Sequence, residues 1–447
     1  VGGTTLAAWA ASGGGGAATQ PASTSTKQKV VIRFWNWWDT YRKEWMDEVI
    51  RRFEAEYPWI DVRNEVQGWA DRSAKVMAAY AAGAPAEITM ALRQEIAALS
   101  DMGAIIPITQ FVQRDKMDLK EFFAAEVQAF IWDDELWSLP LPSVSGEGSM
   151  YFYNKSLFEE AGLDPDHPPV TWRTFQQAAK KLTRADAQGR LTQLAIDTHP
   201  PMVVHMTYAN AGQIITDDRR RAVFDSQQAI DALKFVAIDL NQKALGGPAA
   251  IDAFRAGTTP AGPFVQGKQA MISGHPSVIG VILDQAPKNF NWGVMPAPYN
   301  ENNPNSKSRG IAGFQWGWGY AIPKGLSPEK QEAAWLFLKF LTADERGAGY
   351  FMLQQGRPAS VRQFNLNPEY MKKIGNNWPL IIKYLGDDVA FPVLPVHMDI
   401  YNTVINGLYA PLGGSIEPEN ALKNINSQVQ TILDNYWAKR PASGARK

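Results

Sequence analysis

The sequence predicts an α/β protein built as two lobes. Past Lys29 the hydrophobic period switches again and again between strand-like and helical. At 447 residues the chain is too long for one ordinary core. A stretch rich in Pro, Gly and Ser, Leu139 to Ser149, interrupts the pattern before a β-type run resumes at Met150, as a crossing between lobes would.

Val30 to Trp35 is an apolar run of strand length, and Met46, Val49, Ile50 and Phe53 then recur at helical spacing until Tyr57-Pro58 stops the helix. Asp61 to Val66 is the second strand, followed by a helical stretch through Ala82 that Gly83 and Pro85 end. Ile88 to Leu92 is the third, leading into a helix that stops at Gly103. Strand, helix, strand, helix, strand is the pattern of a parallel sheet with helices on its faces. Such sheets hold ligands off the carboxyl ends of their strands. Trp35 to Asp39 sits at one such end and Arg93-Gln94-Glu95 just past another. Farther on, Thr171 caps a helix through Leu182, a helix surrounds Ile230 to Asn241, and Ala270 to Ser273 is a strand. Ser327-Pro328-Glu329 opens a helix with Ala334, Phe337, Leu338 and Leu341 on one face. Leu422, Ile425, Val429 and Ile432 mark a last amphipathic helix, and no solenoid repeat is present.

Composition narrows the function classes. Apolar residues make up 45% and charged residues 20%, a globular balance. With 44 basic against 45 acidic side chains and no basic stripe, nucleic acid is excluded as a partner. The absence of cysteine excludes disulfides, thiolate metal sites and a cysteine nucleophile. No window reaches the roughly 18 apolar residues needed to span a bilayer. Val1 to Ala11 is small and apolar, with Ala8-Trp9-Ala10 in the form signal peptidases accept; Ser12 to Lys29 has too little apolar content to pack. Residues 1–28 therefore read as an export-signal remnant and a flexible tether, which places the folded body outside the cytoplasmic membrane.

Two tryptophan clusters point to the chemistry: Trp35-Asn36-Trp37-Trp38-Asp39, and Gly313-Phe314-Gln315-Trp316-Gly317-Trp318-Gly319-Tyr320. Flat aromatic faces flanked by amides and carboxylates suit a ligand apolar on its faces and hydroxylated at its rim, such as a pyranose. The plainer reading is core packing, but three indoles within four residues at a strand end cannot all point inward. Neighbouring side chains of a strand diverge, which favours Trp35 and Trp37 over Trp38. Trp316 and Trp318 share a face, and Trp316 is the preferred candidate.

In order and spacing these landmarks resemble the bacterial extracellular solute-binding proteins that include the maltose-binding protein. The segments are the opening strand with Trp35 to Asp39, Ala81 to Pro85, Leu139 to Asn154 with Lys155 to Phe158, Thr171-Trp172, Phe264 to Met271, Trp316 to Pro323, and Gly356-Arg357-Pro358-Ala359. The family's acidic residue after Gly-x-Pro is displaced here, with Ala86-Glu87 in its place, and the lipid-attachment cysteine common among relatives is absent.

The resemblance implies a two-lobed periplasmic-binding-protein fold of the type II, Venus-flytrap kind, with discontinuous lobes, two or three hinge crossings and a ligand cleft between them. The lobes would comprise residues 29–142 with 318–357, and residues 143–317 with 358–447. It further implies capture of a carbohydrate, delivery to the permease of an ABC importer, a monomer, no cofactor and no catalysis. Asp39 matches a position that bonds sugar hydroxyls, Glu147 a ligand-binding glutamate in the crossing, and Arg93, Gln94 and Glu95 a polar ligand-binding stretch. His275 and Tyr401 fall near aromatic ligand contacts; Arg357 lies at the third crossing and either binds an acid group or braces the hinge. The plain readings are a helix N-terminal charge for Asp39, a solvated loop residue for Glu147 and a core ring for Tyr401.

Two alternatives stand beside this reading. Asp39 and Glu147 are conceivable as the carboxylate pair of a glycoside hydrolase, although no serine elbow, P-loop, HExxH or dinucleotide fingerprint is present and the five histidines lack metal-ligand spacing. A polyol phosphate, sugar acid or peptide ligand would call for positive charge in the cleft, with Arg93, Arg357 and Lys268 as the suspects. Neutral carbohydrate is the leading expectation.

Overall fold

A computed structural model describes residues 28–141, 146–256 and 262–440. The expected signal remnant and most of the tether, residues 1–27, lie outside the described residues, as do Pro142 to Ser145 of the expected crossing.

The first three strands form as the periodicity predicts: Val30–Asn36, Ile60–Val66 and Ile88–Leu92. They are parallel neighbours, with Val30–Asn36 in the middle. A fourth strand from far along the chain, Trp318–Ala321, adds to Ile88–Leu92 in the antiparallel sense, so the sheet is mixed. Ile32, Phe34 and Asn36 point into the same face and are fully buried, as alternation requires. Helix Tyr41–Glu56 lays Met46, Val49, Ile50 and Phe53 against this sheet. Helix Pro328–Ala343, capped by the Ser327 hydroxyl, closes the core with Trp335, Phe337 and Leu341. Phe337 sits edge-on to both Phe34, at 5.1 Å, and Phe53, at 5.0 Å, a geometry favoured by ring quadrupoles.

The second lobe is built on a five-stranded sheet ordered Trp292–Pro296, Met150–Asn154, Gln269–Gly274, Leu191–Ile196 and Arg184–Ala185. Every residue of Met150–Asn154 is buried, which explains its unbroken apolar run: both faces of this strand are covered. One face packs a large core of Tyr151, Phe175, Leu194, Met271, Leu422 and Val429; the other packs Phe152, Ile279, Trp378 and Ile381. Thr171 caps helix Trp172–Leu182 in a capping box with Thr174. Leu191–Ile196 and Gln269–Gly274 run parallel, so their carboxyl ends share one edge of the sheet. No helix among the described residues is long and apolar enough to cross a membrane.

Candidate ligand-binding cleft

The carboxyl edge of the first sheet gathers tryptophans from three separate segments. Trp37 follows the end of Val30–Asn36, and Trp69 follows Ile60–Val66 by three residues. Trp318 starts the antiparallel strand and pairs with Leu92, the last residue of the third parallel strand. Its antiparallel direction brings the beginning of that strand to the edge where the others end. The rings meet: Trp37 to Trp318 at 5.9 Å and Trp69 to Trp318 at 5.6 Å between centroids. The Asn36 side chain turns the chain after the first strand by accepting the Trp38 N–H at 2.9 Å and donating to Asn64 Oδ1 at 2.7 Å. The strand rule that separates neighbours therefore does not apply past Asn36, and Trp37 and Trp38 both reach one cavity.

That cavity, of about 340 Å³, is lined by Trp37, Trp38, Asp39, Arg42, Trp69 and Trp318 from the first side, with Trp316 beside them at the junction. From the other side come His275 and Ser277, past the end of Gln269–Gly274, with Arg357 between. His275 and Trp316 also line an adjoining cavity of about 320 Å³ with Glu147, His199, His205, Gln315, Tyr401 and Tyr409. Arg42, Ser277 and Arg357 likewise open onto a third, of about 480 Å³, with Tyr41 and Trp45. The three form one groove between the lobes.

The Glu147 carboxylate is 3% exposed and accepts the backbone N–H groups of Gln315 and Trp316, both at 2.7 Å. It thereby pins the segment around residue 147 to that of Gln315 and Trp316 and fixes the backbone of the Trp316 that lines both cavities. Burial outweighs these donors and pushes its carboxyl up to about 8. Asp388 repeats the arrangement nearby. It accepts Gly146 N–H at 2.7 Å, the Ser149 hydroxyl at 2.8 Å and Gly310 N–H at 2.9 Å, and burial raises it to about 7. His205 is buried with neither ring nitrogen partnered, and burial holds it down at about 3. Tyr401 leans on Phe314 at 5.4 Å, its hydroxyl pushed up to about 12 by burial and by Glu147. Trp37 Nε1 is likewise buried without a partner, at the wall of the tryptophan cavity.

Of the sequence candidates, Trp37, Trp38, Asp39, Glu147, His275, Trp316, Arg357 and Tyr401 line this groove. Trp35, Arg93, Gln94 and Glu95 line none of its three cavities. Trp35 is on the opposite face of its strand from Phe34 and donates its indole N–H to Glu65 at 2.6 Å. Arg93 is 1% exposed and spends its guanidinium on the Gly313 and Phe391 carbonyls and His397. Gln94 reaches the Gln315 carbonyl at 3.4 Å, and Glu95 accepts the Leu92 N–H at 2.8 Å, capping its own helix. Asp39 lines the cavity but is ion-paired with Arg42, one helical turn on. Glu87, in the displaced acidic position, is braced by Arg33 at 3.0 Å and Lys330 at 2.7 Å. Trp69, Arg42, His199, His205 and Tyr409 were not among the sequence candidates. For Trp69 and His199 a signal existed, since each follows a parallel strand by three residues. Among the described residues no cluster of His, Asp and Glu is placed to hold a metal.

Comparison with known proteins agrees with this architecture. Residues 38–348 match the family described as bacterial extracellular solute-binding protein. A putative binding protein of Brucella abortus (strain 2308) is 23% identical over 399 residues, covering 87% of this chain and 90% of its own. The sn-glycerol-3-phosphate-binding periplasmic protein UgpB of Yersinia pestis bv. Antiqua is 23% identical over 350 residues, 76% of each chain. The fold is shared with an ABC substrate-binding protein of Listeria monocytogenes solved with cycloalternan (TM-score 0.73, 20% identity, covering 92% of this chain and all of that one). It is shared also with a cyclic α-maltosyl-1,6-maltose binding protein of Arthrobacter globiformis (TM-score 0.71, 18% identity, 91% of this chain and 100% of that one). With most of its length matched by the family and its two sheets flanking one aromatic groove, the chain belongs to the bacterial extracellular solute-binding proteins.

Proposed function

We propose that this chain captures a carbohydrate, an oligosaccharide in preference to a single sugar, between its lobes and presents it to the permease of an ABC importer. We assign residues 29–142 with 318–357 to one lobe and residues 143–317 with 358–447 to the other, acting as a monomer outside the cytoplasmic membrane. The observation that carries the reading is the convergence of Trp37, Trp69, Trp316 and Trp318 on one cavity whose far side is supplied by His275. Indole faces stack on the apolar faces of pyranose rings, while the amides and carboxylates at the rim take hydroxyls. A groove of three adjoining cavities has room for more than one ring. Solved proteins of the same fold hold cycloalternan and mannotriose, which supports a saccharide.

Ligand touching both walls favours the closed arrangement by its differential contact energy. Several stacks of about 0.5 to 1.5 kcal/mol and hydrogen bonds of about 1 kcal/mol net, less ordering costs, give micromolar affinity. The test is calorimetric titration with neutral mono- and oligosaccharides, repeated on Trp37→Ala and Trp318→Ala. Saturable binding that weakens in both variants is expected. Unchanged affinity in both, or no saccharide binding at all, overturns the reading; release of reducing ends would favour a hydrolase.

A further inference from the structure

We propose that the preferred ligand carries an anionic group, a carboxylate or a phosphate on a sugar or polyol, and that Arg357 is the residue that reads it. This rests on the saccharide reading of the groove and narrows it. Arg357 stands at the junction of two cavities, facing Trp37, Trp318 and His275 on one side and Tyr41 and Trp45 on the other. Among the described residues its guanidinium has one polar contact, 3.5 Å from His275 Nδ1, and its Nε is buried without a partner.

Several other part-buried arginines are compensated, while Arg72 and Arg219 rest over the Trp69 and Trp132 rings. Arg93 is sealed by carbonyls, Arg42 is paired with Asp39, Arg255 with Asp197, and Arg440 with Asp101. Arg357 has no carboxylate. A part-buried guanidinium with no carboxylate beside it can gain a charge-assisted pair from an anion that enters the cavity. Asp39 balances only one of the two cations at the cavity, so Arg42 and Arg357 together leave it a net positive wall. Burial and the nearby Arg42 lower Arg357 to about 10, still charged at neutral pH.

The backbone from which this side chain projects is fixed. Gly356 ends helix Tyr350–Gln355 in the left-handed conformation at φ 65°. The Arg357 N–H then bonds the Met352 carbonyl at 3.0 Å, and its own carbonyl accepts the Tyr370 hydroxyl at 2.9 Å. A planar fork carried on this fixed backbone, with the His275 ring at 3.5 Å as its one polar contact among the described residues, matches the two oxygens of a carboxylate or phosphate.

The experiment is calorimetric titration of the full chain with matched probes: a neutral oligosaccharide, its uronate-terminated counterpart, a sugar phosphate and glycerol 3-phosphate. At least one anionic probe should bind about tenfold or more tighter than its neutral match, with the preference shrinking as salt rises. Arg357→Gln should collapse the anionic-to-neutral ratio toward one, and Arg357→Lys should retain part of it. The uronate and phosphate arms identify which anion is read. The inference is overturned if neutral probes bind as well as anionic ones, or if Arg357→Gln lowers both affinities equally. Binding of neutral probes alone sinks the anion and leaves the saccharide clamp intact; binding of no probe sinks both. Should Arg357→Gln fail to fold, Arg357→Lys decides, since it keeps the charge and loses the planar fork: an anionic preference equal to the parent's overturns the assignment.

Discussion

Raising the pH from 6.5 to 8 should destabilise the folded chain, and Glu147 should account for the larger share. Burial lifts the Glu147 carboxyl from an ordinary 4.5 to about 8 and that of Asp388 from 3.8 to about 7. Because the folded values lie above the unfolded ones, the folded state keeps protons that the unfolded chain has already lost. The stability this contributes is complete below about pH 4 and disappears as pH rises through 7 and 8. Buried histidines work the other way. His205 and His397 are held at about 3, and His199 is lowered, so their contribution is present above 6.5 and is lost as pH falls. The two sets also oppose each other between 6.5 and 8, where the unfolded histidines shed only their last half proton each, so the carboxyls dominate but are offset by about 1 kcal/mol. His167, raised by Asp164, shares the carboxyls' sign but is fully exposed.

Each retained proton is worth about 1.4 kcal/mol per pH unit. Over this window Glu147 holds most of one and Asp388 a fraction, about 2 to 3 kcal/mol, of which the three histidines return about 1, so the net loss is about 1 to 2 kcal/mol, or roughly 2 to 8 °C in Tm for a lobe-sized unit. Glu147→Gln removes the titration and leaves one backbone N–H facing an amide instead of an oxygen, lowering stability by about 1 to 3 kcal/mol at every pH. The assay is calorimetric unfolding at fixed ionic strength from pH 6.5 to 8, parent against variant. The parent's Tm should fall by the larger amount and the variant's by half or less. A parent Tm that is flat or rises across this window, or equal slopes for both proteins, would refute the reasoning: Glu147 would then be ionised throughout, with its two N–H donors outweighing burial.

Trp69 is 52% exposed, so Trp69→Ala should change stability by less than about 1 kcal/mol. By removing one stacking face it should weaken saccharide binding roughly three- to tenfold in a titration; unchanged affinity would take it out of the site. Trp35→Phe should cost about 1 to 3 kcal/mol in a denaturant melt, because the Glu65 acceptor loses its donor, and should leave saccharide affinity at the parent value. Gly148 has φ 71°, and a Cβ there would lie 2.4 Å from His205 Cγ. Gly148→Ala should therefore destabilise by about 1 to 3 kcal/mol and shift the His205 ring into the cavity, visible as a lower denaturation midpoint together with weaker binding.

Much of the fold is legible because it is written in periodicity. Met46, Val49, Ile50 and Phe53 predict a helix, and all four are buried on one face of Tyr41–Glu56. Ile88 to Leu92 predicts a strand and is one, residue for residue. What periodicity does not contain is the partner of a strand. Nothing local to Trp318–Ala321 says that it joins a sheet whose other members ended more than 220 residues earlier, or that it runs antiparallel. That long-range pairing makes the first sheet mixed and brings Trp318 beside Trp37 and Trp69.

The site divides along a related line. A polar side chain just past a strand can either face a ligand or brace the loop that faces it, and the two uses call for the same residue types. Arg93 and Arg357 have the same chemistry and both lie near a crossing. Arg93 is turned inward because it opens a helix packed beneath Trp318–Ala321, where the Gly313 and Phe391 carbonyls meet its guanidinium. Arg357 follows a helix end whose left-handed glycine swings the chain outward toward the cavity. Glu147 shows the two uses in one residue: its carboxyl group lines a cavity while both its oxygens hold the backbone of Gln315 and Trp316. Such a group shapes the groove through Trp316, so substituting it moves stability and affinity together, whereas substituting Trp69 moves affinity alone. Comparing those two variants in one titration separates residues that touch the ligand from residues that position the ones that do.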